Sequence, residues 1–354
     1  MEVDAIIVGL GLGSALVACE MHRDSKRFVI FDNAQQSASH IAAGVYNPVV
    51  LKRFNLIWEH YTQMREMQDM FSSIEKFYNQ KLLHSLALYR IIHHENESKT
   101  WEIKAQQPGL NQYMQDDILS VENPFLNTPH GVGEVKGCGY VDIKMLLELV
   151  KRHHATSIRT EQFMHSKLQS TADNTWRYDD LQAKHVIFAE GVQVKNNPYF
   201  SWVPIEPNKG EVLTLEIQES IPGAIWKKKC FLMPRSSGEY YVGSTYQREF
   251  DDDKPSIENK EYLQNALSEF FTGSYTIVKH QAALRPTIRD RKPIIGEHPA
   301  HPGLYCLNGL GTRGTLNGPF AVNRLLKNIF QSEEIPAEMN VQRFYPPDIQ
   351  KESN

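Results

Sequence analysis

Val3-Asp4-Ala5-Ile6-Ile7-Val8 runs into Gly9-Leu10-Gly11-Leu12-Gly13-Ser14, then Ala15-Leu16-Val17-Ala18-Cys19-Glu20-Met21, and shortly afterwards Arg27-Phe28-Val29-Ile30-Phe31-Asp32. The first segment is β-branched and apolar, as a strand buried on both faces must be. The glycine segment reads as a turn, the next as a helix, and residues 27–31 as a second strand that ends on an acid. Gly9 permits the tight turn off the strand, and Gly11 lets the backbone come close to a ligand. The helix behind them presents unpaired N–H groups and the positive end of its dipole, which suits an anion such as a pyrophosphate. Asp32 stands 23 residues after Gly9, where a carboxylate accepts hydrogen bonds from a ribose. The third glycine of a GxGxxG pattern is Ser14, whose small side chain loosens the helix-to-strand contact without blocking it. Such a turn also closes βαβ units that hold no ligand. Strand, helix and acid in register favour a dinucleotide, and the lone acid disfavours the 2′-phosphate of NADP. Gly9, Gly11, Gly13, Ser14, Asp32 and the neighbouring Asn33 are the first candidate binding residues.

Around this unit the chain is ordinary in composition. It has 354 residues, 41% hydrophobic and 23% charged, with a formal net charge of −4, which excludes disordered, collagenous and coiled-coil chains. The pI near 6.4 argues against a nucleic-acid binder that works by bulk charge. Cys19, Cys138, Cys230 and Cys306 lie far apart with no CxxC pair, so neither a disulfide framework nor a zinc knuckle is expected. The apolar run at residues 3–8 is too short for a signal peptide, and no stretch approaches a membrane span. A cytoplasmic protein without membrane contact is the expectation.

Further along, Ser37-Ala38-Ser39-His40-Ile41-Ala42-Ala43-Gly44 is either a surface loop or a second lobe of backbone N–H groups. In the latter case Ser39, His40, Ala42, Ala43 and Gly44 join the binding set. Residues 56–79 repeat apolar side chains at helical spacing, a pattern of core rather than of a cofactor box. Asp142 is placed to cap a helix over 143–154. Residues 162–186 read as a β-meander and His185-Val186-Ile187-Phe188-Ala189 as a buried strand leading to Glu190-Gly191. Prolines at 198, 204 and 207 mark a change to strands at 211–217, 230–233 and 240–243, with a helix around 258–271. A last buried strand, Leu304-Tyr305-Cys306-Leu307-Asn308, precedes Gly309-Leu310-Gly311-Thr312-Arg313-Gly314-Thr315 and a helix over 316–330. A glycine turn leading into a helix therefore occurs at both ends of the chain, which suits a large dinucleotide lying across a sheet.

With these residues in view the sequence resembles the D-amino-acid-oxidase-like FAD-dependent oxidoreductases, the glycine oxidase and sarcosine oxidase type. The resemblance rests on residues 6–11 with Asp32, on Ala42 to Pro48, and on Phe188-Ala189-Glu190-Gly191. It continues through Lys209-Gly210-Glu211, residues 231–235 leading to Val242-Gly243-Ser244-Thr245, Leu284-Arg285-Pro286, and Gly309 to Thr315. It implies an α/β chain, α+β overall: a Rossmann-like FAD-binding domain on a parallel sheet, with an inserted, mainly antiparallel substrate domain. The expected division is 1–80, 137–202 and 282–354 for the cofactor, and 81–136 and 203–281 for the substrate. The implied cofactor is FAD, held noncovalently, since no cysteine stands at 285–296 where sarcosine oxidases attach flavin. The implied binding set adds Ala189, Glu190, Gly191 and Gly309 through Thr315.

The implied reaction is oxidation of a C–N bond beside a carboxylate, with hydride passing to flavin N5 and water hydrolysing the imine. Arg285 matches the family's carboxylate anchor, a role its planar fork suits; a surface ion pair with Asp290 or Glu297 is the plainer alternative. The tyrosine that assists it in glycine oxidase aligns with Phe231, leaving Tyr241 or Tyr246 as substitutes. Arg313 sits one position later than the basic residue of glycine oxidase. Its loop looks more like the FAD half of the bifunctional enzyme that modifies tRNA wobble uridine.

Three readings follow: a small amino-acid or amine oxidoreductase, a tRNA-modifying one, or a flavoprotein without turnover. The net charge weighs against RNA, whose binding would require a basic rim at the mouth. The clusters Lys227-Lys228-Lys229 and Arg285, Arg289, Arg291, Lys292 read as solvated faces. The adjacent pairs His93-His94 and His153-His154 lack metal spacing, so no metal is expected, and Cys306 reads as a packing thiol.

Overall fold

The computed structural model describes residues 1–173 and 175–346; residue 174 of the expected meander and residues 347–354 of the last expected segment lie outside it. Five parallel strands form the centre: β1 (Glu2–Val8), β2 (Phe28–Phe31), β3 (Ile158–Arg159), β4 (Leu181–Phe188) and β5 (His301–Asn308). Their spatial order is β3-β2-β1-β4-β5, so the chain reverses direction across the sheet between β1 and β4. A dinucleotide crevice forms outside the carboxyl ends of the strands at such a point. The meander is present as Gln169–Ser170 and Trp176–Tyr178 folded antiparallel onto β4, and Ile294–His298 pairs antiparallel with β5.

Both faces of this sheet are covered, which is why its strands carry no polar alternation. Ala5 and Ile7 belong to one apolar cluster, Ile6 and Val8 to another. On the first face lie helices α1 (Leu12–Arg23), α2 (His60–Tyr78), α3 (Ile143–His153) and α4 (Gly314–Gln331). Every residue of α1 from Leu12 to Met21 is buried, because α4 crosses over it; a Cβ on Gly318 would come within 2.9 Å of Leu16. Asp142 caps α3 as its position suggests, accepting the Met145 N–H at 3.0 Å.

A second, eight-stranded sheet runs in the order 275–287, 206–217, 240–243, 231–234, 225–227, 88–91, 132–135, 114–119. All its pairs are antiparallel except 225–227 with 88–91. The longest pairing joins Glu206–Ile217 to Tyr275–Thr287 and sets Arg285 opposite Asn208. The helix Glu95–Ala105 and the strands Met114–Leu119 and Val132–Val135 occupy a segment with little apolar periodicity. The helix buries just Trp101 and Ala105, too few to print a stripe.

Candidate active site

A cavity of about 1310 Å³ opens between the two sheets, along the carboxyl ends of β1, β2, β4 and β5. It exceeds the roughly 300–1,000 Å³ of a drug-sized ligand pocket. Its inner wall is backbone. Gly9, Gly11 and Gly13 line it beside Ala189, Glu190 and Gly191 and the whole of Gly309 to Thr315. Gly9 has φ +95°, and a Cβ there would lie 2.8 Å from the Ala189 carbonyl oxygen. Only glycine fits that contact between the ends of β1 and β4. A Cβ on Gly11 would come within 3.2 Å of Ser39 Oγ, so a larger residue in this turn would press on the Ser39 side chain.

Asp32, Asn33, Ser39, Ala42, Ala43 and Gly44 also line the cavity, whereas Ser14 and His40 do not. Ser14 is fully buried against the core with its hydroxyl unpaired; it fills the space of the absent third glycine. His40 Nδ1 accepts the Ser37 N–H at 3.0 Å and caps the short turn Ala38–Ile41. Ser39 accepts the Leu12 N–H at 2.9 Å, joining this loop to the first turn of α1. The Asp32 carboxylate pairs with Lys151 at 2.8 Å and accepts the Ala34 N–H at 3.1 Å. Glu190 is held from both sides, by His165 Nε2 at 3.0 Å and Asn197 at 2.7 Å.

The outer wall is made of side chains from the second sheet. Arg285 is half-buried, and its Nη1 donates to Asn208 Oδ1 at 3.0 Å and to the Thr245 carbonyl at 3.2 Å. No carboxylate pairs with it among the described residues. Asp290 instead binds Arg343 at 3.0 Å, and Glu297 takes the Gly303 N–H and the Tyr305 hydroxyl. Burial lowers the pKa of Arg285, with Tyr241 and Tyr246 acting the other way. The guanidinium lies flat over Gly210, where a Cβ would stand 1.9 Å from Nη2. Glycine inside a strand marks such a close approach, a signal the sequence carries at Lys209-Gly210-Glu211.

Behind Gly210, Glu211 is wholly buried. Burial alone would raise its pKa, but bonds from Ser256, Asn259 and Lys209 outweigh this and lower it. His280 closes the network on Glu211 at 2.7 Å, fixing the strand that carries Gly210.

Tyr241 is buried in the cavity wall, while Tyr246 is 53% exposed at the mouth. Phe231 lines the same wall. Arg313 stands at the N-terminus of α4, half-buried and without a carboxylate partner among the described residues. Burial and the nearby Arg291 push its pKa down to about 10. A cation at the positive end of a helix is doubly disfavoured, and an anion at that place would relieve both costs. Lys227 departs from the solvated reading of its cluster. It is half-buried in the cavity wall, Nζ 4.8 Å from the Phe231 ring centre, with its pKa lowered by burial to about 8.

The closed backbone cradle at the ends of β1, β4 and β5 fits an extended dinucleotide. Bound there, FAD would be held by the Gly9–Gly13 and Gly309–Thr315 turns. Cys306 is buried with its thiol pKa pushed up by burial, in keeping with a packing role.

A family model described as FAD dependent oxidoreductase matches residues 4–322. Among curated proteins, the glycine oxidase of Pseudomonas putida is 22% identical over 344 residues, covering 90% of this chain and 92% of that protein. The tRNA 5-methylaminomethyl-2-thiouridine biosynthesis bifunctional protein MnmC of Aromatoleum aromaticum is 27% identical over 201 residues. That match takes in 49% of this chain but only 31% of the longer protein. Among solved structures, glycine oxidase from Geobacillus kaustophilus superposes with a TM-score of 0.80 at 19% identity, covering 98% of this chain and 100% of that one. Iminodiacetate oxidase from Chelativorans sp. gives 0.78 at 18%, covering 97% and 98%. In the described residues no helix is long and apolar enough to cross a membrane.

Proposed function

The chain belongs to the family of FAD-dependent oxidoreductases whose model it matches, and from that premise we propose that it oxidises the C–N bond of an amino acid or N-substituted glycine. The observation that carries this reading is the unpaired, half-buried Arg285 facing the cavity. Asn208, the Thr245 carbonyl and the flat seat on Gly210 hold the guanidinium still. Its remaining N–H groups are the natural partners of a substrate carboxylate, in the bidentate pairing that charge-assisted bonds favour. Tyr241, buried in the same wall, supplies the hydroxyl that Phe231 lacks, while the exposed Tyr246 stays at the rim.

Bound noncovalently, FAD supplies the hydride acceptor. The chain's part is to orient the α-carbon against it and to limit water during the transfer. Hydrolysis of the resulting imine gives an oxo acid and the free amine. A flavoprotein without turnover gains nothing from an unpaired guanidinium in its cavity. Anaerobic addition of glycine, sarcosine, D-alanine, D-proline and iminodiacetate to the yellow protein tests the proposal. Bleaching of the flavin by one of them supports it and names the substrate class.

One observation favours a second reading, a tRNA-borne N-substituted glycine. Arg248, Lys254, Arg289, Arg291, Lys292 and Arg313 all line the cavity, in a chain whose net charge is negative. Among them only Lys292 has a carboxylate partner within the described residues, Glu338 at 3.9 Å. A rim of this kind suits a phosphate backbone. Flavin reduction by tRNA carrying a carboxymethylaminomethyl uridine, weakening steeply with added salt, would select this reading. Reduction by a free amino acid alone would dismiss it.

A further inference from the structure

Far from the cavity, three histidines meet at the back of the cofactor-binding sheet. His22 lies in the last turn of α1, His153 ends α3, and His154 follows it. Ring nitrogens of all three lie within 4.8 Å of one another. The ring centres are 5.4 Å apart for His22 and His153, 5.1 Å for His22 and His154, and 4.9 Å for His153 and His154. His154 is buried, whereas His22 and His153 are exposed.

Three features make this more than a crowd of rings. First, the C-terminal ends of two helices converge here, and both dipoles favour a cation. Second, of the two arginines beside these rings in the chain, Arg23 is neutralised, pairing with Glu20 at 2.7 Å and with Asp24 at 3.3 Å, while Arg152 next to His153 has no carboxylate partner among the described residues. Third, the buried ring is oriented from behind. Tyr78 at the end of α2 has its hydroxyl 3.3 Å from His154 Nε2 and 3.7 Å from Cys19 Sγ. Outer hydrogen bonds of this kind fix the orientation of metal-bound histidines.

We propose that His22, His153 and His154 form a binding site for a divalent transition cation, with Zn²⁺, Cu²⁺ or Ni²⁺ as the class. Imidazole suits these borderline ions. Three protein ligands leave a fourth position open on the solvent side, where His22 and His153 are exposed. The ion would tie the ends of α1 and α3 together beside Tyr78. The site is separate from the cavity: Gly11 at the other end of α1 lies roughly 16 Å away at helical rise. The expectation of no metal rested on spacing within one helix, which cannot register a ligand supplied by a second helix more than a hundred residues away.

The test is calorimetric titration of the flavin-loaded, tag-free protein with ZnCl₂ after chelator treatment and dialysis. One ion per chain is expected. His22→Ala and His153→Ala, both at exposed positions, should each weaken binding at least tenfold, and the double variant should abolish it. Tyr78→Phe should weaken it about 10–100-fold by freeing the His154 ring, with the flavin spectrum unchanged. His93→Ala, in the other adjacent pair, should leave binding intact. Nitrogen hyperfine structure in the electron paramagnetic resonance of the Cu²⁺-loaded protein should diminish in the same variants. Absence of stoichiometric binding, or binding that survives in the His22→Ala/His153→Ala double variant, overturns the proposal.

Discussion

At its inner end the cavity is walled largely by the glycine-rich turns at Gly9–Gly13, Ala189–Gly191 and Gly309–Thr315, with Glu190 and Arg313 as their charged side chains. At its mouth the walls are long side chains, projected from strands of the other sheet and from the loop 289–292. The first region offers a close approach to backbone, and at Gly9 a single added methyl group would meet the Ala189 carbonyl. The second recognises charge, and its side chains can change without disturbing the fold.

The largest effect that would test this contrast is on cofactor retention. Gly9→Val forces a branched side chain onto the Ala189 carbonyl at φ +95°, and the purified variant should be colourless. A fully yellow Gly9→Val protein would break the account of the inner wall. Next in size, Arg285→Ala should raise KM for the carboxylate substrate about 10–100-fold, the worth of a charge-assisted pair. The flavin spectrum should stay unchanged, and an unaltered KM would remove Arg285 from the site.

Gly210→Ala sharpens the comparison, because it adds one methyl group to the outer wall. The group it meets is the far end of a flexible arginine. Stability should therefore change little while KM rises about tenfold as the anchor shifts; a large fall in Tm with normal KM would contradict this. Tyr241→Phe should cost a further few-fold in KM, and Tyr246→Phe less. The reverse ranking would place the substrate hydroxyl partner at the rim.

The smallest effect near neutral pH concerns acid stability. His154 and His298 have pKa values lowered to about 4, chiefly by burial. In the unfolded chain they titrate near 6.5, so between these values the unfolded state binds more protons. Their contribution is whole above about pH 6.5 and is lost as the pH falls toward 4. Tm measured against pH, with flavin fluorescence reporting release, should decline across that window. A flat Tm from pH 7 to 4.5 would contradict the assignment.

How much of this was legible in the sequence depends on how local each cause is. The β1 turn, the Asp142 cap and the apolar runs of β4 and β5 were readable because neighbours in the chain determine them. Helix Glu95–Ala105 was not readable, since two buried residues leave no period. The strand Tyr275–Thr287 was not, since its central residues are a mixture of partly exposed polar and apolar positions. At the site, motif and resemblance pointed to the glycine turns and to Arg285, all of which line the cavity. Asn208 and the Thr245 carbonyl were not, because a strand register brings them to Arg285. Ser14 and His40 were read as binding residues from position alone. The fold gives one to packing and the other to a cap.

The sequence by itself determined those features that rest on backbone conformation within a few residues: the glycine turns, the helix caps, the apolar strands and the unit that selects a dinucleotide. Only the tertiary structure decided which charges remain unpaired and which side chains meet. Arg285 could have paired with Asp290 or Glu297 until the fold gave those acids to Arg343, Gly303 and Tyr305. His22 joins His153 and His154 only because α1 and α3 end side by side. Charge pairing and ligand clustering act over a few ångströms of space, and distance along the chain does not report that separation.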